Sequence, residues 1–151
     1  MTEPIRHQLV VDCTPVEAFD AWVDGIGQWW HPDHTTDPAG FVGAGIEPRV
    51  GGRVYLVDAT LGEVEWGRVL AVARGALVVH TSTLGQTPEH PSRITVQFVP
   101  LDEGGTRVEL EHGGWDEGNA AFRDKFTDWP LILERYAAFA AGRADRERTG
   151  L

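Results

Sequence analysis

Polar side chains on otherwise apolar strand faces are the first candidates for chemistry in this 151-residue chain. Burying an unpaired polar group costs about 1–3 kcal/mol, so such a position needs a reason. His112 alternates with Val108 and Leu110, His7 with Ile5, Leu9 and Val11, and Asp58 with Val54 and Leu56. An imidazole placed this way can orient a hydroxyl, carboxylate or carbonyl, and can move a proton near neutral pH. It can equally end a strand, bonded to backbone or water. Asp58 lies beside a turn and is expected to reach solvent.

Other constellations are weaker. His31-Pro32-Asp33-His34 gathers two imidazoles and a carboxylate, all zinc-binding types. The proline and loop context favour an exposed loop, and no cysteine stands near to complete a closed site, so no metal is expected. Ser82, His80 and Asp58 make a nucleophilic triad on paper, yet no nucleophile elbow surrounds the serine. Gly40 to Gly45 lacks the glycine order, the lysine and the following helix of a phosphate loop. Cys13, at a strand-to-helix junction, reads as a small buried hydrophobe. Six tryptophans offer large apolar area, and Trp30, Trp66, Trp115 and Trp129 are placed to line a cavity or to fill a core.

The elements that position these residues follow from periodicity. Ile5 to Val11 alternates with period two, the pattern of a strand with one buried face. Thr14-Pro15-Val16-Glu17 is a capping box with proline at the first helical position, and a helix from Pro15 to about Val23 carries Val16, Ala18, Phe19, Trp22 and Val23 before Gly25. Ile26 to Trp30 has room for one turn before Pro32. Strands are expected at about 41–47, 52–59, 63–73, 76–83, 92–100 and 105–113, separated by glycine-bearing turns, which at hairpin spacing indicates an antiparallel sheet. A bulge is expected near Gly67. Gly118 to Phe126 has some helical character. A last helix starts at Trp129-Pro130 with Thr127 or Asp128 as cap, runs through Ile132, Leu133, Tyr136, Ala137, Phe139 and Ala140, turns Glu134 and Arg135 outward, and ends at Gly142. This order suggests a curved sheet gripping one long helix. Residues 1–142 read as one domain and 143–151 as a flexible charged tail.

The bulk properties exclude several classes. Thirteen basic against 23 acidic residues, a formal charge of −10, would repel a phosphate backbone. No signal core or membrane span is visible. One cysteine cannot form an internal disulfide, which suits a cytoplasmic location.

Four segments resemble a known family. Pro15-Val16-Glu17-Ala18-Phe19-Asp20-Ala21-Trp22 with Trp29-Trp30 is similar to its first two helices, and Pro48-Arg49-Val50-Gly51-Gly52-Arg53 to its Arg-x-Gly-Gly turn. Gly67-Arg68-Val69 with Leu77-Val78 resembles its Gly-x-Val and Leu-Val strand pair, although many relatives show Thr-Trp where this chain has His80-Thr81. Gly105-Thr106-Arg107-Val108 through Glu111-His112-Gly113-Gly114-Trp115 matches its last strand. The chain thus resembles the SRPBCC (START/Bet v 1-like) superfamily, in its activator-of-Hsp90-ATPase-homologue (AHSA1-like) branch.

The resemblance implies an α+β helix-grip fold: a curved seven-stranded antiparallel sheet around a long C-terminal helix, two short helices after the first strand, and an internal cavity that often takes hydrophobic molecules. The first and last strands would pair, bringing His7 close to His112. The implied lining is His7, Trp30, Val54, Leu56, Trp66, His80, Phe98, Leu110, His112, Trp129, Leu133 and Tyr136. The expected function is binding of a small hydrophobic or lipid-like molecule admitted near His31 to Gly40, with no cofactor, no assigned catalytic residue, no nucleic acid, no membrane insertion, and a homodimer left open. Two alternatives stand beside it: a cyclase- or dehydratase-like enzyme using His112 with His7 or Asp58, and an Hsp90-related interaction module.

Overall fold

The computed structural model describes residues 3–30, 38–83 and 89–148. Seven strands, β1 (Ile5–Val11), β2 (Phe41–Ile46), β3 (Arg53–Asp58), β4 (Gly62–Ala73), β5 (Leu77–Ser82), β6 (Ser92–Pro100) and β7 (Thr106–Gly113), form one curled antiparallel sheet in the order β1-β7-β6-β5-β4-β3-β2. Consecutive strands from β2 to β7 are neighbours, and the chain ends join through β1 and β7, whose register sets Ile5 opposite His112 and His7 opposite Leu110. The glycine-rich run expected not to bind phosphate is strand β2. At the β4–β5 turn Gly75 sits at φ 82°, a conformation that costs glycine nothing.

Helix α1 (Pro15–Val23) has its capping box complete: Thr14 Oγ1 accepts from the Glu17 main-chain N–H, and Glu17 Oε1 accepts from the Thr14 N–H. Helix α2 (Ile26–Trp29) is one turn. Gly25 between them does not close α1 by a left-handed cap; a Cβ there would collide with the Phe139 ring, so glycine lets the last helix approach. That helix, α3 (Trp129–Arg148), starts where Trp129-Pro130 predicts, with the Ile132 N–H donating to the Asp128 carbonyl. It runs six residues past Gly142, the expected end. Between β7 and α3 lies a short 3-10 helix, Ala120–Lys125.

The core is continuous from α1 through the sheet to α3. Phe19, Trp22, Ile26 and Trp29 meet Ile132, Leu133, Tyr136 and Ala140 over Val54, Val69, Val78, Val96, Phe98, Val108 and Leu110. Trp22, Trp29 and Tyr136 meet with centroids 4.6–5.3 Å apart, Tyr136 edge to face against both indoles, and the Tyr136 hydroxyl donates to the Ala18 carbonyl. Arg135, expected to point away, reaches back so that its Nε donates to the Trp29 carbonyl at 3.0 Å. No helix among the described residues is long and apolar enough to cross a membrane.

Candidate functional site

Eleven of the twelve residues expected to line an interior space, all but His7, are buried, none more than 5% exposed. Three tryptophans from three elements hold the middle. Trp30, after α2, lies 5.5 Å from Trp66 of β4 and 6.3 Å from Trp129 of α3, ring centre to ring centre. Trp66 also meets His80 of β5 edge to face at 5.4 Å. Trp115 stands apart, against His112 and Phe126.

A bulge aims Trp66 inward. Val54 pairs with Gly67 while Tyr55 pairs with Glu65, so Trp66 is the extra residue and the side-chain alternation of β4 resets there. Gly67 permits it: a Cβ at that position would collide with the Thr81 carbonyl oxygen across the sheet. The indole N–H of Trp66, like that of Trp22, is buried with no hydrogen-bond partner among the described residues.

His112 is chemically spent. Trp129 Nε1 can only donate, and it bonds His112 Nδ1 at 3.2 Å, so that nitrogen is the acceptor. Nε2 therefore carries the proton and donates to Ser92 Oγ at 2.7 Å, and Ser92 donates onward to the Ser82 carbonyl. Burial, reinforced by His80, pushes the His112 pKa down to about 3. The ring is a neutral, fully bonded strut among Trp115, Phe126 and Trp129. His7 does not join it. Half-buried opposite Leu110, His7 lines an open groove of about 600 Å³ that the outer-face side chains Arg6, Gln8, Gln97, Glu109 and Glu111 also border.

His80 differs. Its Nδ1 lies 2.8 Å from the Thr81 carbonyl oxygen, which can only accept, so Nδ1 bears the proton and Nε2 keeps its lone pair. No donor among the described residues is paired with that nitrogen. Burial lowers its pKa to about 4, against the opposing pull of the Thr81 carbonyl, so the ring is neutral at pH 7.

The remaining candidates separate. Asp58 does not reach solvent: it is 5% exposed, and its Oδ1 caps the β3–β4 turn by accepting from the Thr60 and Leu61 N–H groups, because a carboxylate at a strand end is well placed to satisfy turn donors. No hydrogen bond among the described residues links Ser82, His80 and Asp58 into a triad. Cys13 is buried, and its carbonyl accepts from the Thr106 hydroxyl. The Arg-x-Gly-Gly turn is structural: the Glu47 carboxylate accepts from the Arg53 main-chain N–H at 2.7 Å and from its guanidinium, which holds that carboxyl below its ordinary value. His31, Asp33 and His34 lie outside the described residues; among those described, no three metal-ligating side chains cluster.

Ser92 escaped the sequence reading. The rule that singled out His112 points to it as well, since Ser92 heads the buried alternation Ile94, Val96, Phe98.

A curled seven-stranded antiparallel sheet closed by a C-terminal helix over an aromatic interior defines a helix-grip, Bet v 1-like protein. Comparison with known families narrows this. The chain belongs to the family described as activator of Hsp90 ATPase homolog 1-like protein, whose model matches residues 12–139. Among solved structures it is similar to the self-sacrificing resistance protein CalC from Micromonospora echinospora, with 26% identity, TM-score 0.69, and 93% of this chain and 96% of that one covered. It is also similar to an anthrahydroquino-gamma-pyrone synthase, Txn09, solved in complex with SUM: 28% identity, TM-score 0.62, 91% and 97% covered. The Aha1 dimer from Colwellia psychrerythraea shares the fold, at 20% identity, TM-score 0.67, 93% and 97% covered. No curated protein matches the chain.

Proposed function

We propose that this protein binds a small, largely apolar molecule in the interior between the curled sheet and α3. The observation that carries the reading is the buried indole N–H of Trp66, held without an acceptor among the rings of Trp30, Trp129 and His80. A stability-driven core would bury a hydrocarbon there, since an unpaired donor costs about 1–3 kcal/mol. The likeness to a synthase solved in complex with SUM supports a bound small molecule. It also keeps catalysis as a second reading, in which His80 is the proton acceptor because both nitrogens of His112 are engaged. A homodimer is supported by the dimeric Colwellia protein, and a reducing, cytoplasmic setting is compatible with a single cysteine, which cannot form an internal disulfide.

Thermal unfolding with a panel of aromatics, lipids and polyketide-like compounds tests the reading. A ligand at about 100 times its Kd adds roughly 2.7 kcal/mol, which moves the Tm of a domain this size by roughly 5–10 °C. A panel that leaves Tm unchanged throughout contradicts it.

A further inference from the structure

Two polar atoms of neighbouring rings have no hydrogen bond assigned among the described residues: the donor Trp66 Nε1, which is buried, and the acceptor His80 Nε2 left by the bond of Nδ1 to Thr81. Their rings lie 5.4 Å apart, centre to centre. We propose that the pair anchors the neutral hydroxyl of an aromatic ligand, whose oxygen accepts from Trp66 and whose proton is donated to His80. This rests on the ligand-binding reading above and adds the polar group that the ligand must carry.

The chemistry is selective. A hydroxyl donates and accepts at once, so one group satisfies both atoms. A ketone, an ether or a halide accepts only and leaves the His80 lone pair unpaired once the ligand covers it. A carboxylate or phenolate also only accepts, and it brings a charge into a region where no lysine or arginine is among the buried residues described. His80 is neutral there, because burial disfavours its charged form, and so offers no counter-charge. The aromatic requirement comes from the walls: flat faces of Trp30, Trp66 and Trp129 favour another ring in offset or edge-to-face contact. His80 and Trp66 sit on adjacent strands, and the bulge at Trp66 turns it onto the face that His80 already occupies.

Calorimetric titration of the full chain with 2-naphthol, 2-fluoronaphthalene and 2-naphthoate tests the proposal, the fluorine matching the hydroxyl in size without donating. The wild type is expected to bind 2-naphthol at least tenfold more tightly than 2-fluoronaphthalene, with 2-naphthoate weakest. In Trp66→Phe and His80→Leu the naphthol preference is expected to fall below threefold while 2-fluoronaphthalene still binds. Equal binding of the naphthol and the fluoride by the wild type overturns the hydroxyl anchor and leaves the ligand-binding reading standing. Binding of none of the three overturns both. Should either variant fail to fold, the wild-type ratio decides alone.

Discussion

Trp129 fixes the proton positions around His112, because an indole can only donate and the ring nitrogen facing it must accept. The same reasoning fixes the opposite tautomer at His80, where a carbonyl oxygen faces Nδ1. Both rings are neutral when folded, at about 3 for His112 and about 4 for His80, and both return to an ordinary value near 6.5 on unfolding. The unfolded chain then binds protons below pH 6.5 that the folded one refuses until about pH 4. Stability from these rings is complete above pH 6.5 and drains as pH falls toward 4, by up to tenfold in the folding equilibrium constant per pH unit for each ring. Urea unfolding between pH 7 and 4.5 is expected to show that decline. It is also expected to show the deficit of His112→Gln shrinking toward acid, since that variant has one such ring fewer; parallel curves contradict the assignment. Sequence alternation found His112 because it sits in an unbroken period-two strand. Its engagement with Ser92 and Trp129 was not legible, because those partners come from another strand and from a helix, brought together only by folding.

Regular elements were legible where one local rule acts alone. The capping box set the start of α1 at Pro15, and alternating apolar residues between glycine turns set all seven strands. The end of α3 was not. Gly142 meets nothing that a Cβ would disturb, and the residues after it include good helix formers, alanine, arginine and glutamate, so the helix crosses the glycine. The bulge in β4 was legible as a place but not as a direction, because one inserted residue reverses every facing beyond it. Its geometry makes Gly67→Ala informative: the added methyl must push back the Thr81 carbonyl, a backbone atom with little freedom. We expect a loss of about 1–3 kcal/mol in urea unfolding, in the range for overpacked sites, together with a changed Trp66 environment. A neutral substitution would mean that the bulge is not held by close approach.

At the scale of the molecule, element order carried the fold. One strand, two short helices, six strands in sequence and a long helix leave few ways to bury every apolar face, and the closing of β1 onto β7 completes the sheet. What fills the space between sheet and α3 was beyond reach of the sequence, since six tryptophans can pack a core or wall a pocket with equal ease. The structure brings Trp30, Trp66 and Trp129 together there and leaves the Trp66 indole N–H, like that of Trp22 deeper in the core, without a partner among the described residues, and on the Trp66 donor the account of function turns. The most direct test is a proton–nitrogen correlation spectrum of the indole N–H groups, assigned by single Trp→Phe variants, recorded while 2-naphthol is added. The account predicts that the signals of Trp66, Trp30 and Trp129 move together and saturably, Trp66 furthest, while that of Trp22 stays in place. Signals that do not move, or shifts confined to residues of the outer groove around Arg6 and Glu109, would contradict it.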